Sequence, residues 1–146
     1  MGLDMFLYAE RYLSEYDTED AEIRKQIQRL MPEMKHVRTV CSEVGYWRKA
    51  NQIHNWFVRN VQGGEDNCGR YYVGEDQLRE LLGIVEQVLA DRSLAEELLP
   101  NTAGFFFGSQ DYDDWYFQDL EHTRKVLYEV LDMDRSKLDI VYRSSW

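Results

Sequence analysis

The sequence contains few of the residues that build metal sites or covalent cross-links. Among its 146 residues there are two cysteines and three histidines. Cys41 and Cys68 do not form a C-x-x-C pair, and His36, His54 and His122 are far apart in the chain, so no metal-ligand spacing is present. We therefore predict no structural metal, no cofactor and two reduced thiols.

Targeting segments and long apolar runs are also absent. The chain opens without the pattern of a signal peptide, and no stretch of apolar residues is long enough to span a bilayer. Together with reduced thiols, these absences predict a cytoplasmic protein with no membrane partner.

Positive charge is scarce. Lys and Arg number 17 against 27 Asp and Glu, which gives a formal net charge of −10. Broad nucleic-acid binding needs cations that displace phosphate counterions, so nucleic acid is disfavoured as a partner. An acidic protein suits a basic protein surface instead, although a merely solubilising surface is the simpler explanation of the charge.

The patterns that are present predict a single α+β domain over residues 1–146. Alternating apolar residues predict strands at 2–13 and 138–143, with a short extended piece at 70–73. Helical spacing predicts helices at 18–31, 42–61, 76–91 and 111–131, the last of them capped by Ser109 or Asp111. A short turn capped by Ser93 and a short buried strand or packed loop at 105–107 are also expected. We expect about four helices on a small, mainly antiparallel sheet, with the first and last strands adjacent.

The segment 42–61, SEVGYWRKANQIHNWFVRNV, is predicted to be the central helix. Ser42 is a suitable N-cap, and Gly63-Gly64 is a suitable stop. One predicted stripe is apolar and contains Tyr46, Ala50, Ile53, Phe57 and Val61. The neighbouring stripe contains Trp47, Asn51, His54 and Val58. Asn51 and His54 would then lie at the core boundary, where they either hydrogen-bond internally or face a ligand or partner.

A pocket is one candidate use of that second stripe. Trp47, Arg48, Asn51 and His54 offer an aromatic ring, a cation, an amide and a titratable group, and the 104–112 loop can cover them. Such a set suits a planar anionic ligand such as a nucleotide. Ordinary packing is the competing explanation, because aromatic stripes at helical spacing usually belong to a core.

Protein binding is the favoured use of a second stretch, residues 111–119. Asp111, Tyr112, Asp114 and Trp115 mix carboxylates with aromatic rings, a composition that can anchor on a basic partner. The competing explanation is a normal helix start, since aspartates in a first turn suit the helix dipole. The abundance of Trp and Tyr also leaves a homodimer open.

An enzyme is the least favoured class. The sequence has neither a phosphate-binding glycine loop nor a nucleophile elbow. A hydrolase would need Glu43, His54 and Asp111 to converge, and cysteine catalysis would need Cys68 beside His54.

Several motifs together resemble a family of short, uncharacterised proteins of bacteriophages and prophages. The motifs are MGLDM at 1–5, EVGYWRKANQIHNWFVRNVQGG at 43–64, NCGRYYV at 67–73, GFFFGSQDYDDWYF at 104–117 and YRSSW at 142–146. The resemblance implies a phage accessory role in the host cytoplasm and brings no established activity. With the acidic surface, it favours a non-enzymatic protein that binds a host macromolecule, with inhibition of a host defence as the expected role.

Overall fold

The computed structural model describes residues 2–104 and 107–146. Their helices and strands follow one another as β1 (Asp4–Tyr12), α1 (Thr18–Leu30), β2 (Thr39–Arg48), α2 (Asn51–Asn60), β3 (Arg70–Tyr72), α3 (Glu75–Ala90), a 3-10 turn (Arg92–Leu94), α4 (Ala95–Leu98), α5 (Asp114–Asp132) and β4 (Asp139–Ser145). The predicted α+β class is confirmed. The described residues form five α-helices rather than about four, because the turn expected after Ser93 includes the short helix α4.

The four strands form one antiparallel sheet in the order β2-β1-β4-β3. The predicted adjacency of the first and last strands is confirmed, with β1 and β4 paired from Asp4↔Ser145 to Glu10↔Asp139. Matching alternation in the two strands explains this register, because a slip of one residue would turn Met5 and Leu7 away from the core. The pairing of β1 with β2 contains a bulge at Val44, between the pairs Leu7↔Gly45 and Tyr8↔Glu43.

The helices cover one face of this sheet. Met5, Leu7 and Tyr142 point toward the helices and are fully buried. The ring of Phe57 from α2 stacks on Tyr142 with 3.9 Å between centroids. Alternate side chains of β1 are only partly buried, and no described helix covers the opposite face of the sheet. The fold therefore has two layers, one of helices and one of strands.

The prediction of one helix over 42–61 is wrong in its first half. Residues 39–48 form the edge strand β2, and α2 begins only at Asn51. Lys49 joins the two elements with a φ of 58°, so the chain turns sharply there. Tyr46 and Trp47 consequently point to opposite faces of the sheet, and Ser42 lies in a strand instead of capping a helix. Pairing with β1, a contact distant in sequence, overrides the local helical spacing.

Two further predictions concern the start of α5 and the segment before it. The helix begins at Asp114 and is capped by Asp113, whose side chain accepts from the amide of Tyr116 at 3.1 Å, not by Ser109 or Asp111. The strand or packed loop predicted at 105–107 lies mostly outside the described residues, which include only Phe107 of the three. None of the helices in the described ranges is both long enough and apolar enough to cross a bilayer.

Candidate functional site

Asn51, at the start of α2, joins that helix to the segment 101–109. Its Oδ1 accepts from the amide of Thr102 at 2.8 Å. Its Nδ2 donates to the carbonyls of Phe107 and Ser109 at 3.2 and 2.8 Å. The side chain is buried, and both of its polar atoms are engaged by backbone groups. Asn51 therefore positions the loop that precedes α5.

His54 is also an internal residue, with 1% of its surface exposed. Its Nδ1 lies 2.7 Å from the hydroxyl of Tyr142. Its Nε2 lies 3.0 Å from Oδ2 of Asp66, close enough for an ion pair but not aligned as a hydrogen bond. Burial lowers the pKa of the imidazole, and Asp66 opposes that shift. Asp66 also accepts from the indole of Trp146 at 3.0 Å, so His54 links α2 to the end of the chain.

Trp47 is also buried, and its indole is bonded to α5. Its Nε1 donates to the hydroxyl of Thr123 in α5 at 2.9 Å, and that hydroxyl donates to the carbonyl of Asp119 at 2.7 Å. The sequence left open whether Asn51 and His54 bond internally or face a ligand, and in the structure their polar atoms, like that of Trp47, face neighbouring protein atoms. Internal hydrogen bonds account for Trp47, Asn51 and Nδ1 of His54, whereas Nε2 of His54 only faces Asp66. Because all three side chains are buried, recognition has to involve the residues around them.

A cleft opens beside the start of α2, at the place where the sequence predicted a pocket. Its volume is about 280 Å³. Its lining residues come from the end of β2, the start of α2, the loop before α5 and α5 itself: Arg48, Lys49, Asn51, Gln52, Asn101, Gly108, Ser109, Asp111, Asp113, Trp115, Tyr116 and Asp119. Arg48, Asn51, Asp111 and Trp115 among the predicted residues reach it, whereas Trp47 and His54 do not.

Asp119 is the cleft residue with the most distinctive chemistry. Burial raises the pKa of its carboxyl to about 6, and a contact from Gln52 partly offsets the shift. The amide of Gln52 lies 3.3 Å from Oδ2 of Asp119. A carboxyl with this pKa exchanges its proton near neutral pH, which allows it to act as donor or acceptor toward a ligand.

The sequence reasoning missed Asp119 and Gln52. Asp119 follows Tyr116 by three positions and precedes Thr123 by four, so the three lie on one face of α5. Tyr116 and Thr123 are buried, and this spacing was the signal that could have identified Asp119 as a carboxylate turned inward. Gln52 gave no comparable signal, because it belongs to neither of the two stripes of the predicted helix.

Four of the predicted residues form an exposed patch at the start of α5, and two of them, Asp111 and Trp115, also reach the cleft. This patch is here called the acid–aromatic surface and consists of Asp111, Tyr112, Asp114 and Trp115. Trp115 is 74% exposed. The side chain of Asp114 is 90% exposed and lies 4.0 Å from Arg92, at the outer limit of an ion pair. The hydroxyl of Tyr112 accepts from the amide of Asn101 at 3.1 Å, so this ring is fixed while Trp115 extends into solvent.

The catalytic sets considered from the sequence do not assemble. Glu43 is exposed on the edge strand β2, His54 lies in the interior, and Asp111 lies in the exposed loop before α5. Cys68 forms no hydrogen bond with His54, whose ring nitrogens face Tyr142 and Asp66. Over residues 2–104 and 107–146, no three His, Cys, Asp or Glu side chains are grouped to hold a metal ion.

The fold and the site together define a two-layer α+β protein with a cleft lined by side chains of both charges and an exposed aromatic rim. Comparisons with protein-family models, with curated proteins and with solved structures give no match. The function is therefore argued from the geometry of this chain.

Proposed function

We propose that this chain is a non-enzymatic phage accessory protein that binds and modulates a host macromolecule, with inhibition of a host defence as its role. The acid–aromatic surface is the contact region in this proposal. The observation that carries it is the 74% exposure of Trp115 in the first turn of α5, next to carboxylates. Tryptophans are enriched among the residues that contribute most to protein–protein affinity.

Charge around Trp115 supports a basic partner. Asp114, Gln118 and Glu121 are exposed at helical spacing along the same side of α5, and Asp111 lies just before the helix. The whole chain carries a net charge of −10, which attracts a basic surface over a long range. Such attraction raises the association rate, while the desolvated ring supplies the affinity.

Rigidity of the surface also supports binding. Asp113 caps α5, and the ring of Tyr112 packs edge-on against the buried Tyr116 with 5.1 Å between centroids. A surface that is already ordered loses less conformational entropy when it binds. The phage origin and the host target rest on the sequence motifs alone.

Affinity capture from host lysate tests the proposal. The wild type should retain a host protein at low salt and release most of it at about 0.5 M salt, where the Debye length is only a few ångströms. Trp115→Ala should weaken that binding by at least about tenfold, which corresponds to about 1.4 kcal/mol. Tyr16→Ala is the matched control, because Tyr16 is 94% exposed and lies far from α5 in sequence. A partner bound equally well by Trp115→Ala, or no salt-sensitive partner, would contradict the proposal.

A small-molecule function is the second candidate, and the cleft favours it. Arg48 and Lys49 line the cleft together with Asp119 and the ring of Trp115, which suits a planar ligand with an anionic group. The volume of about 280 Å³ is near the lower end of the range for ligand pockets. Nucleotides should raise the melting temperature of the wild type but not of Lys49→Ala. The absence of any shift across nucleotides and their bases would exclude this candidate.

A further inference from the structure

The face of the sheet opposite the helices carries a strip of aromatic side chains. Phe6 stacks on Tyr8 with 5.8 Å between centroids and contacts Tyr46 on β2 at 5.4 Å. Tyr8 pairs with Val141 on β4, which pairs with Tyr72 on β3. The strip therefore crosses all four strands. We call this side of the sheet the open face, because no described helix covers it.

Two observations indicate that the strip is a coherent surface. Val141 points to the open face yet is only 1% exposed, because Tyr8 and Tyr72 flank it. Tyr72 itself is 72% exposed, so a large ring stands in solvent beside a covered valine. Burial raises the pKa of Tyr8, with a further contribution from Glu43, as expected for side chains that share this face.

The open face is nearly neutral in a strongly acidic chain. Its carboxylates are Asp4, Glu10, Glu43 and Asp139, and its guanidinium groups are Arg48, Arg70 and Arg143. These seven groups leave a net charge of −1, whereas the chain carries −10. Two copies of an acidic protein repel each other least when they meet through a surface of this kind.

On the open face, Arg70 is ion-paired with Glu10 and Arg48 lies 3.6 Å from Asp4, whereas Arg143 and Asp139 form no ion pair within the described residues. Arg143 and Asp139 lie four residues apart on β4, and both point to the open face. Val141 lies midway between Arg143 and Asp139 on β4. A two-fold axis that lies between the two facing sheets and runs perpendicular to β4 at Val141 therefore places Arg143 of one copy opposite Asp139 of the other.

We propose that the open face binds a second copy of this chain, forming a two-fold dimer in which the sheets pack face to face and β4 crosses its counterpart at Val141. In this arrangement Arg143 of each copy faces Asp139 of the other. The rings of Phe6, Tyr8, Tyr46 and Tyr72 form the apolar centre. An isologous contact of this kind uses the same patch twice and closes without leaving a surface for further growth.

Sedimentation measurements on the full chain with exchanged charges test the dimer. Wild type should shift from monomer to dimer as its concentration rises. Arg143→Glu and Asp139→Lys should each weaken self-association by at least tenfold, because each places like charges opposite one another. Neither side chain forms an ion pair or side-chain hydrogen bond within the described residues, so both variants should keep the wild-type melting temperature. An equimolar mixture of the two variants should regain a dimer.

Arg29→Glu is the matched control, since Arg29 is exposed on α1 and the substitution changes net charge equally. It should dimerise as the wild type does. A wild type that stays monomeric, a dimer unaffected by Arg143→Glu, or a mixture that fails to associate would each overturn the proposal. Occupation of the open face by an oligonucleotide or another protein in a monomeric wild type would overturn it as well.

Discussion

In the folded protein, burial disfavours ionisation of the Asp119 carboxyl group. Its pKa rises from 3.8 to about 6 because the group is buried. The folded state therefore holds the proton more tightly than the unfolded state. This contribution to stability is complete below the unfolded pKa and is lost as the pH rises through the folded pKa.

Asp119→Asn should accordingly stabilise the protein above pH 6 and change little below the unfolded pKa. The shift would correspond to about 3 kcal/mol for a fully buried group, and partial exposure reduces the expected gain to about 1–2 kcal/mol. Chemical unfolding of the variant and of the wild type, at acidic and at mildly alkaline pH, measures the difference in their free energies of unfolding in each range. Asp114→Asn is the control, because its side chain is 90% exposed. A loss of stability in Asp119→Asn at alkaline pH would contradict the prediction.

His54 has the opposite pH behaviour. Burial lowers its pKa below 6.5, so the unfolded state gains a proton before the folded state does, and stability falls as the pH drops below 6.5. Asp66 is the group that opposes this shift. Asp66→Asn should lower the pKa of His54 further, as measured by following its imidazole protons in an NMR titration. Glu65→Gln should leave the titration unchanged, and an increase of the pKa in Asp66→Asn would refute the assignment.

At the scale of elements, Asn51 is the joint between α2 and the segment 101–109. Asn51→Ala removes three hydrogen bonds and leaves partly buried backbone groups without these partners, at an expected cost of about 1–3 kcal/mol. Amide exchange at Thr102 should become at least ten times faster, because its acceptor is lost. Asn55→Ala, one turn later on the same helix, should not affect that amide. Unchanged protection of Thr102 would show that the loop is held by other contacts.

Most of the helices and strands, but not all, could be predicted from the sequence. Helices α1, α3 and α5 and strands β1 and β4 follow from local periodicity, since each has one face toward the core. Strand β2 does not, because Tyr46 and Trp47 suit either a helix or a strand and the choice depends on pairing with β1. A cleft does open beside the start of α2 and the loop before α5, but Trp47 and His54, which were predicted to line a pocket there, do not reach it. Its buried groups, Asp119 and Gln52, were missed because their burial depends on the packing of α2 against α5.

At the scale of the whole molecule, excess negative charge should make stability depend on salt. Raising the ionic strength from about 10 to about 150 mM shortens the Debye length from about 30 to about 8 Å, which screens long-range repulsion more than ion pairs in contact. The melting temperature should therefore rise by a few degrees. Glu96→Gln combined with Glu97→Gln and Glu121→Gln should reduce this dependence, because all three are exposed. A melting temperature that falls with salt would indicate that ion pairs dominate.

The two proposed contact regions use different parts of the molecule, because the acid–aromatic surface belongs to the helical layer and the open face to the sheet. A dimer through the open face would leave both copies of Trp115 accessible. Two linked sites would increase the apparent affinity for a partner with repeated basic surfaces, provided that the spacing allows both to engage.

The bulge at Val44 has a consequence for behaviour in concentrated solution. Residues 39–43 are exposed along the outer edge of β2, and an uninterrupted edge of that length can recruit further strands and start fibrils. The extra residue breaks the regular ladder and increases the local twist. Deleting Val44 would remove the bulge and make the edge of β2 regular. We would expect the resulting protein to aggregate through continued strand addition.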